Sequence, residues 1–149
     1  MQRDIYAAEL FIKGYNCAQA VSVAFRDLTG LEEHYAAQMA SSFGGGMGRL
    51  REVCGAVSGM LLVAGLLYGY GAPDDGQVKK DHYARVQLLA GKFREQAGSI
   101  VCREILKNPP SDPNPTPRTA QFYAQRPCTR MVMLAVQILE EYIEENPIG

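Results

Sequence analysis

Leu50-Arg51-Glu52-Val53-Cys54-Gly55-Ala56-Val57-Ser58-Gly59-Met60-Leu61-Leu62-Val63-Ala64-Gly65-Leu66-Leu67-Tyr68-Gly69-Tyr70 is the stretch on which the fold turns. A helix over about 50–70 would be apolar on all sides, which in a soluble chain marks the central, buried element. The twenty residues from Val53 to Ala72 carry no formal charge and are long enough on paper to cross a bilayer. Against a span, Gly55, Gly59, Gly65, Gly69 and Gly71 lower the hydropathy, no second span accompanies this one, and the Gly55/Gly59 spacing equally suits close helix packing in a core. The reading is an all-α, single compact domain over 1–149, with about six to seven helices around this buried glycine-rich one and no membrane span.

Outward from this stretch, apolar residues recur mostly at three and four positions, and no alternating β-branched run is bounded by hairpin turns, so helices are expected throughout. Toward the amino terminus, a helix over 3–13 stops at Gly14. Asn16 caps a second, over about 17–28, that turns Ala20, Val21, Ala24, Phe25 and Leu28 inward and ends at Thr29-Gly30; a third covers 31–42. Phe43-Gly44-Gly45-Gly46-Met47-Gly48 breaks the periodicity and reads as a tight loop. It lacks the Lys-Ser/Thr ending of a P-loop and follows no strand, so nucleotide binding is not indicated. Toward the carboxyl terminus, 71–76 is a turn. The helix that follows, to about Ala97, buries Val86, Leu89, Ala90, Phe93 and Ala97 and exposes Lys79, Arg85, Lys92 and Arg94. Gly98 ends it, and Ser99 caps a short helix over 100–106. Asn108 to Pro117 holds five of the eight prolines and reads as an extended strap across the surface. The last helix runs from Pro127 to about Glu145 with Met131, Leu134, Ala135, Ile138 and Tyr142 on one face.

Composition excludes several function classes. Of 149 residues, 47% are apolar, and 15 basic side chains stand against 16 acidic ones, so a folded core is expected and no basic excess exists to neutralise a nucleic-acid backbone. The basic runs Lys79-Lys80 and Arg49-Leu50-Arg51 read as solvated helix ends. Asp4 and Glu9 interrupt what a secretory signal would need within Met1 to Leu10, so a cytoplasmic location is expected. No Ser-His-Asp grouping or paired-carboxylate motif is visible. His34 and His82 read as exposed or capping groups rather than ligands.

The four cysteines carry the chemistry. Cys17, Cys54, Cys102 and Cys128 stand alone, with no Cys-x-x-Cys pair or metal knuckle. On the helix map above all four fall at helix beginnings, where unpaired amides and the positive end of the macrodipole favour a thiolate. In Cys54-Gly55-Ala56-Val57-Ser58-Gly59, the small residues Gly55, Ala56 and Gly59 let another backbone or a cofactor approach and leave amides free to bond sulfur.

Gly14-Tyr15-Asn16-Cys17-Ala18-Gln19-Ala20, the Phe-Gly-Gly-Gly-Met-Gly loop, the Cys-Gly-Ala-x-x-Gly segment at 54–59 and the four single cysteines together resemble the small redox-active C-GCAxxG-C-C family over nearly the whole chain. The resemblance implies redox activity carried by the four cysteines. A related cysteine-bearing segment of split-Soret cytochromes is assigned an iron–sulfur centre, which makes Cys17, Cys54, Cys102 and Cys128 candidate ligands. Covalent haem is excluded because no Cys-x-x-Cys-His occurs.

Three readings follow. The first is electron transfer through an iron–sulfur cluster, 2Fe–2S or similar, held by the four cysteines. The second is thiol–disulfide chemistry, in which the same four cysteines are the catalytic residues and one pair cycles with no cofactor. The third is a structural four-cysteine zinc domain, although such sites usually draw ligands from two short knuckles. The partner would be a redox protein or a small-molecule electron donor or acceptor. The apolar excess allows a homodimer without demanding one.

Overall fold

The structure, a computed structural model, describes residues 2–73 and 76–149. Met1 and, in the turn expected over 71–76, Asp74 and Asp75 lie outside the described residues. The all-α class is as expected: among the described residues there is no strand, and nine helices follow one another. They are α1 (Arg3–Lys13), α2 (Cys17–Ala24), α3 (Arg26–Thr29), α4 (Glu33–Ala40), α5 (Gly55–Tyr68), α6 (Gly76–Ala97), α7 (Cys102–Leu106), α8 (Ala120–Gln125) and α9 (Cys128–Glu145).

Helix α1 ends where Gly14 takes φ 130°, and α2 opens on a reciprocal cap. The Asn16 side chain accepts from the Gln19 amide at 2.8 Å while the Gln19 side chain accepts from the Asn16 amide at 3.0 Å. The single helix expected over 17–28 is broken at Phe25, whose ring is fully buried and whose backbone (φ −101°, ψ 15°) leaves the α2 geometry before α3 resumes. That break turns Leu28 outward, so it is 39% exposed rather than part of the core. Arg3 then ties the layers together, bonding Asp27 of α3, Glu140 of α9 and the Ala24 carbonyl.

Helix α5 begins at Gly55, five residues later than the sequence pattern predicts, because 44–53 is spent on other structure. The amides of Gly48, Arg49, Arg51 and Glu52 donate to the carbonyls of Ser42, Gly44, Gly45 and Gly46, and Met47, Arg49 and Arg51 all take positive φ. Residues 51–54 then pair antiparallel with 100–103 through Cys54 N to Ile100 O (2.7 Å), Cys102 N to Glu52 O (2.6 Å) and Arg103 N to Arg51 O (3.1 Å), with an isolated bridge between Val53 and Val101. The same pairing holds Val101 extended and delays α7 to Cys102, so Ser99 does not cap the helix as expected: Val101 holds the N-cap position without a side-chain cap, and the Ser99 hydroxyl accepts from the Val101 amide ahead of it. Helix α5 is not buried on all sides. Ala56, Val57, Met60, Val63 and Ala64 are inaccessible, but its second half emerges at Leu66, which is 51% exposed. No helix among the described residues is long and apolar enough to cross a membrane.

The core is shared. Helix α2 packs on α1, α4, α5 and α9, and α6 lies against α5 and α9. Helix α9 buries Met131, Ala135, Ile138 and Tyr142 with Leu134 half-buried. Helix α6 buries Leu89 and Phe93, with Val86, Ala90 and Ala97 half-buried. Four polar residues of α6 depart from expectation. Arg85 is half-buried, its guanidinium 4.8 Å from the Tyr68 ring and donating to the Tyr142 hydroxyl at 2.8 Å. His82 is buried, with Nδ1 2.8 Å from Arg85; burial first and that cation second hold its pKa below the ordinary imidazole value. Lys79 and Lys92 are also half-buried rather than exposed. Helix α8, which the pattern did not reveal, is capped by the Thr119 hydroxyl and sets Phe122 and Tyr123 against Phe11.

Candidate functional site

The structure places every cysteine at a helix start. Cys17, Cys102 and Cys128 are the first residues of α2, α7 and α9, and Cys54 is the residue that caps α5. Three features bring these starts together. The antiparallel pairing of 51–54 with 100–103 sets Cys54 beside Cys102. The packing of α2 on both α5 and α9 adds Cys17 and Cys128. Missing side chains let the backbones close in: a Cβ at Gly55 would lie 2.8 Å from the Phe43 carbonyl and 3.1 Å from Cys17 Cβ, and one at Gly46 would lie 2.8 Å from Cys102 Cβ. All four cysteines line one cavity of about 310 Å³, with Cys54 and Cys102 buried and Cys17 and Cys128 half-buried. Phe11, Met131, Ile105 and Leu106 supply apolar wall, and Pro113, Pro115 and Thr116 of the strap form another side.

The four thiols are free and differ in acidity. Cys17 and Cys128 shift each other in opposite directions: the neighbouring Cys17 thiol lowers Cys128 to about 7, with Arg126, Arg118 and Arg51 adding positive charge, while Cys128 and burial hold Cys17 well above the ordinary range. Burial pushes Cys54 up to about 12, although the Ala56 and Val57 amides at the start of α5 favour its thiolate. Cys102 is raised, chiefly by burial, against a contact of 3.7 Å from Arg51 Nη1. Of the four, Cys128 is thus the one brought closest to neutrality.

Of the small residues expected to serve a cofactor, Gly55 lines the cavity. Ala56 is sealed in the core, and Gly59 is used for helix contact, since a Cβ there would meet the Ala18 carbonyl at 2.6 Å. In the glycine loop the carbonyls of Gly44, Gly45 and Gly46 accept from the amides of Arg49, Arg51 and Glu52, which closes the loop on the segment that leads to Cys54. Among the described residues no group of three or more His, Cys, Asp or Glu is gathered closely enough to hold a metal ion.

The arginines were not legible as site residues. Arg49-Leu50-Arg51 reads as a solvated helix end, yet Arg51 is only 3% exposed, lies outside any helix and faces the thiols. Arg49, Arg118 and Arg126 line the same cavity. Arg49 donates to the Asp112 carbonyl and Thr116 hydroxyl, and Arg51 Nε to the Pro110 carbonyl, so both pin the strap over the site. The signal that could have exposed them is their place between the glycine loop and Cys54, where a run of tight turns returns side chains toward the sulfur.

A family model described as "Putative redox-active protein (C_GCAxxG_C_C)" matches residues 15–142, a span that contains all four cysteines. No curated protein and no solved structure matches.

Proposed function

The chain belongs to the C_GCAxxG_C_C family of redox-active proteins, and on that premise we propose that it is a dithiol–disulfide redox protein whose working pair is Cys17 and Cys128. The observation that carries this reading is the meeting of those two thiols in one cavity, where Cys17 and the nearby arginines lower Cys128 to about 7, so that about half of it is thiolate at pH 7 while Cys17 stays protonated. A thiolate beside a thiol is the arrangement thiol–disulfide exchange needs. Cys128 at the start of the 18-residue α9 also has helix-end amides and a positive dipole end to favour its charge. Oxidation joins the two sulfurs, and two electrons and the Cys17 proton leave with the oxidant. Cys54 and Cys102 are held in reserve behind the pair by their burial and high pKa values.

A second reading, electron transfer through an iron–sulfur cluster ligated by Cys17, Cys54, Cys102 and Cys128, has its own support in the four thiols lining one cavity and in the amides of Ala56 and Val57 directed at Cys54. When bound, such a cluster supplies a one-electron store. The thiols as placed do not close around one ion, which argues against structural zinc and means a cluster would have to draw them inward.

Iron, inorganic sulfide, zinc and free thiols counted on one anaerobically purified sample, with its visible spectrum, separate the readings. The dithiol reading expects a colourless protein that loses two thiols on oxidation and regains them on reduction. Stoichiometric iron and sulfide with visible absorption would replace it by the cluster reading, and four inert thiols without metal would contradict both.

A further inference from the structure

The thiol cavity is unbalanced in charge. Four arginines line it, Arg49, Arg51, Arg118 and Arg126, and no aspartate or glutamate does. None of the four is in an ion pair among the described residues. Two are occupied by architecture: Arg49 by the strap, and Arg118 by the carbonyls of Phe11 and Tyr15. Arg51 is different. It is 3% exposed, its Nε and Nη1 are engaged by the Pro110 carbonyl and Cys102 Sγ, and its Nη2 is buried with no hydrogen-bond partner. A guanidinium is never neutral in a protein, and a buried donor without an acceptor is costly, so the group is built for an acceptor that arrives from outside. Arg126, half-buried with its guanidinium over the Phe122 ring at 4.9 Å, supplies a second cation at the cavity wall.

We propose that the cavity selects a small anionic substrate, a low-molecular-weight disulfide bearing carboxylates, whose negative end is held by Arg51 with Arg126 while its sulfur–sulfur bond meets Cys17 and Cys128. This rests on the dithiol reading above and adds the substrate class. Guanidinium and carboxylate match in geometry as well as charge. A volume of about 310 Å³ between apolar walls is at the small end of ligand sites, in keeping with a small molecule. In the first step the Cys128 thiolate attacks one substrate sulfur, forming a mixed disulfide and releasing one substrate thiolate. In the second, Cys17 attacks Cys128 Sγ, closing the Cys17–Cys128 disulfide and releasing the second substrate half as a thiol that carries the Cys17 proton. The protein dithiol loses two electrons, and the substrate disulfide gains them.

Three disulfides with the same two-carbon arm test this: 3,3′-dithiodipropionate (anionic), bis(2-hydroxyethyl) disulfide (neutral) and cystamine (cationic). Each is mixed with the reduced, iron-free full chain, and its rate is divided by its rate with free cysteine. The expected order is anionic over neutral over cationic, with about tenfold between the ends, weakened by added sulfate, and with a Cys17–Cys128 disulfide as product. Arg51→Gln and, should that variant not fold, Arg126→Gln at the half-exposed wall are each expected to flatten the order. Equal normalised rates that still yield the Cys17–Cys128 disulfide, or an order untouched by sulfate and by both substitutions, would overturn the anionic substrate and leave the dithiol reading standing. No disulfide between Cys17 and Cys128 from any of the three would overturn the dithiol reading itself.

Discussion

At the scale of single residues, the proposed dithiol chemistry depends on an inequality between two thiols. Cys128 gains from the Cys17 hydrogen bond and from nearby guanidinium groups, while Cys17 bears the opposite shift from the same bond. For a thiol, the anion is the reactive form, so alkylation of Cys128 should rise as pH passes about 7 and fall away below it. Cys17→Ala removes the donor, and the inflection should move up toward the ordinary thiol range of about 8.5; iodoacetamide labelling against pH, read by peptide mass, checks it. An inflection unmoved by the substitution would show that the arginines alone set the acidity. The four cysteines themselves were readable from sequence, since a capping residue or a helix-starting proline marks Cys17 and Cys128 directly. Arg51 was not readable. Its role depends on a positive φ of 62° and on a strand-like pairing with 100–103, neither of which has a periodicity to detect.

At the scale of elements, the site exists because helix starts approach one another more closely than side chains allow. Gly55→Ala would press a methyl group against backbone at Phe43 and Ala18 as well as Cys17, neighbours that cannot rotate away. A cost of about 1–3 kcal/mol follows, measured by chemical denaturation. Gly65→Ala, in the same helix but with nothing within 4 Å, is the matched control and should be neutral or stabilising by up to about 1 kcal/mol. If the two substitutions cost the same, close approach at Gly55 is not what the fold requires. Asn16→Ala breaks the reciprocal cap at the start of α2 and should cost about 1 kcal/mol. Element identity was legible wherever a cap or glycine punctuates the chain: α1 matches its expected bounds, and α9 starts one residue after Pro127. Boundaries slipped where tertiary pairing overrode an apolar run, as at 50–54. Helix α8 was hidden because six residues span too few turns to show a pattern.

At the scale of the whole molecule, residues far apart in sequence are gathered by two layers, the α1–α2–α5–α9 core and the proline strap held against it. The strap is fastened by Arg49 to Asp112 and Thr116 and by Arg51 to Pro110. Arg49→Ala should loosen it with little loss of global stability and speed alkylation of the buried Cys102; unchanged labelling would mean that the strap does not cover the site. The central claim is that the fold converts four solitary cysteines into one cavity in which Cys17 and Cys128 are the reacting pair. Its most direct test is a peptide map of the reduced, iron-free protein after one equivalent of a small disulfide oxidant. The account predicts one intramolecular bond, Cys17 to Cys128, reversed by dithiothreitol, with Cys54 and Cys102 still free. A first bond that joins any other two cysteines, or four thiols left untouched, would contradict it.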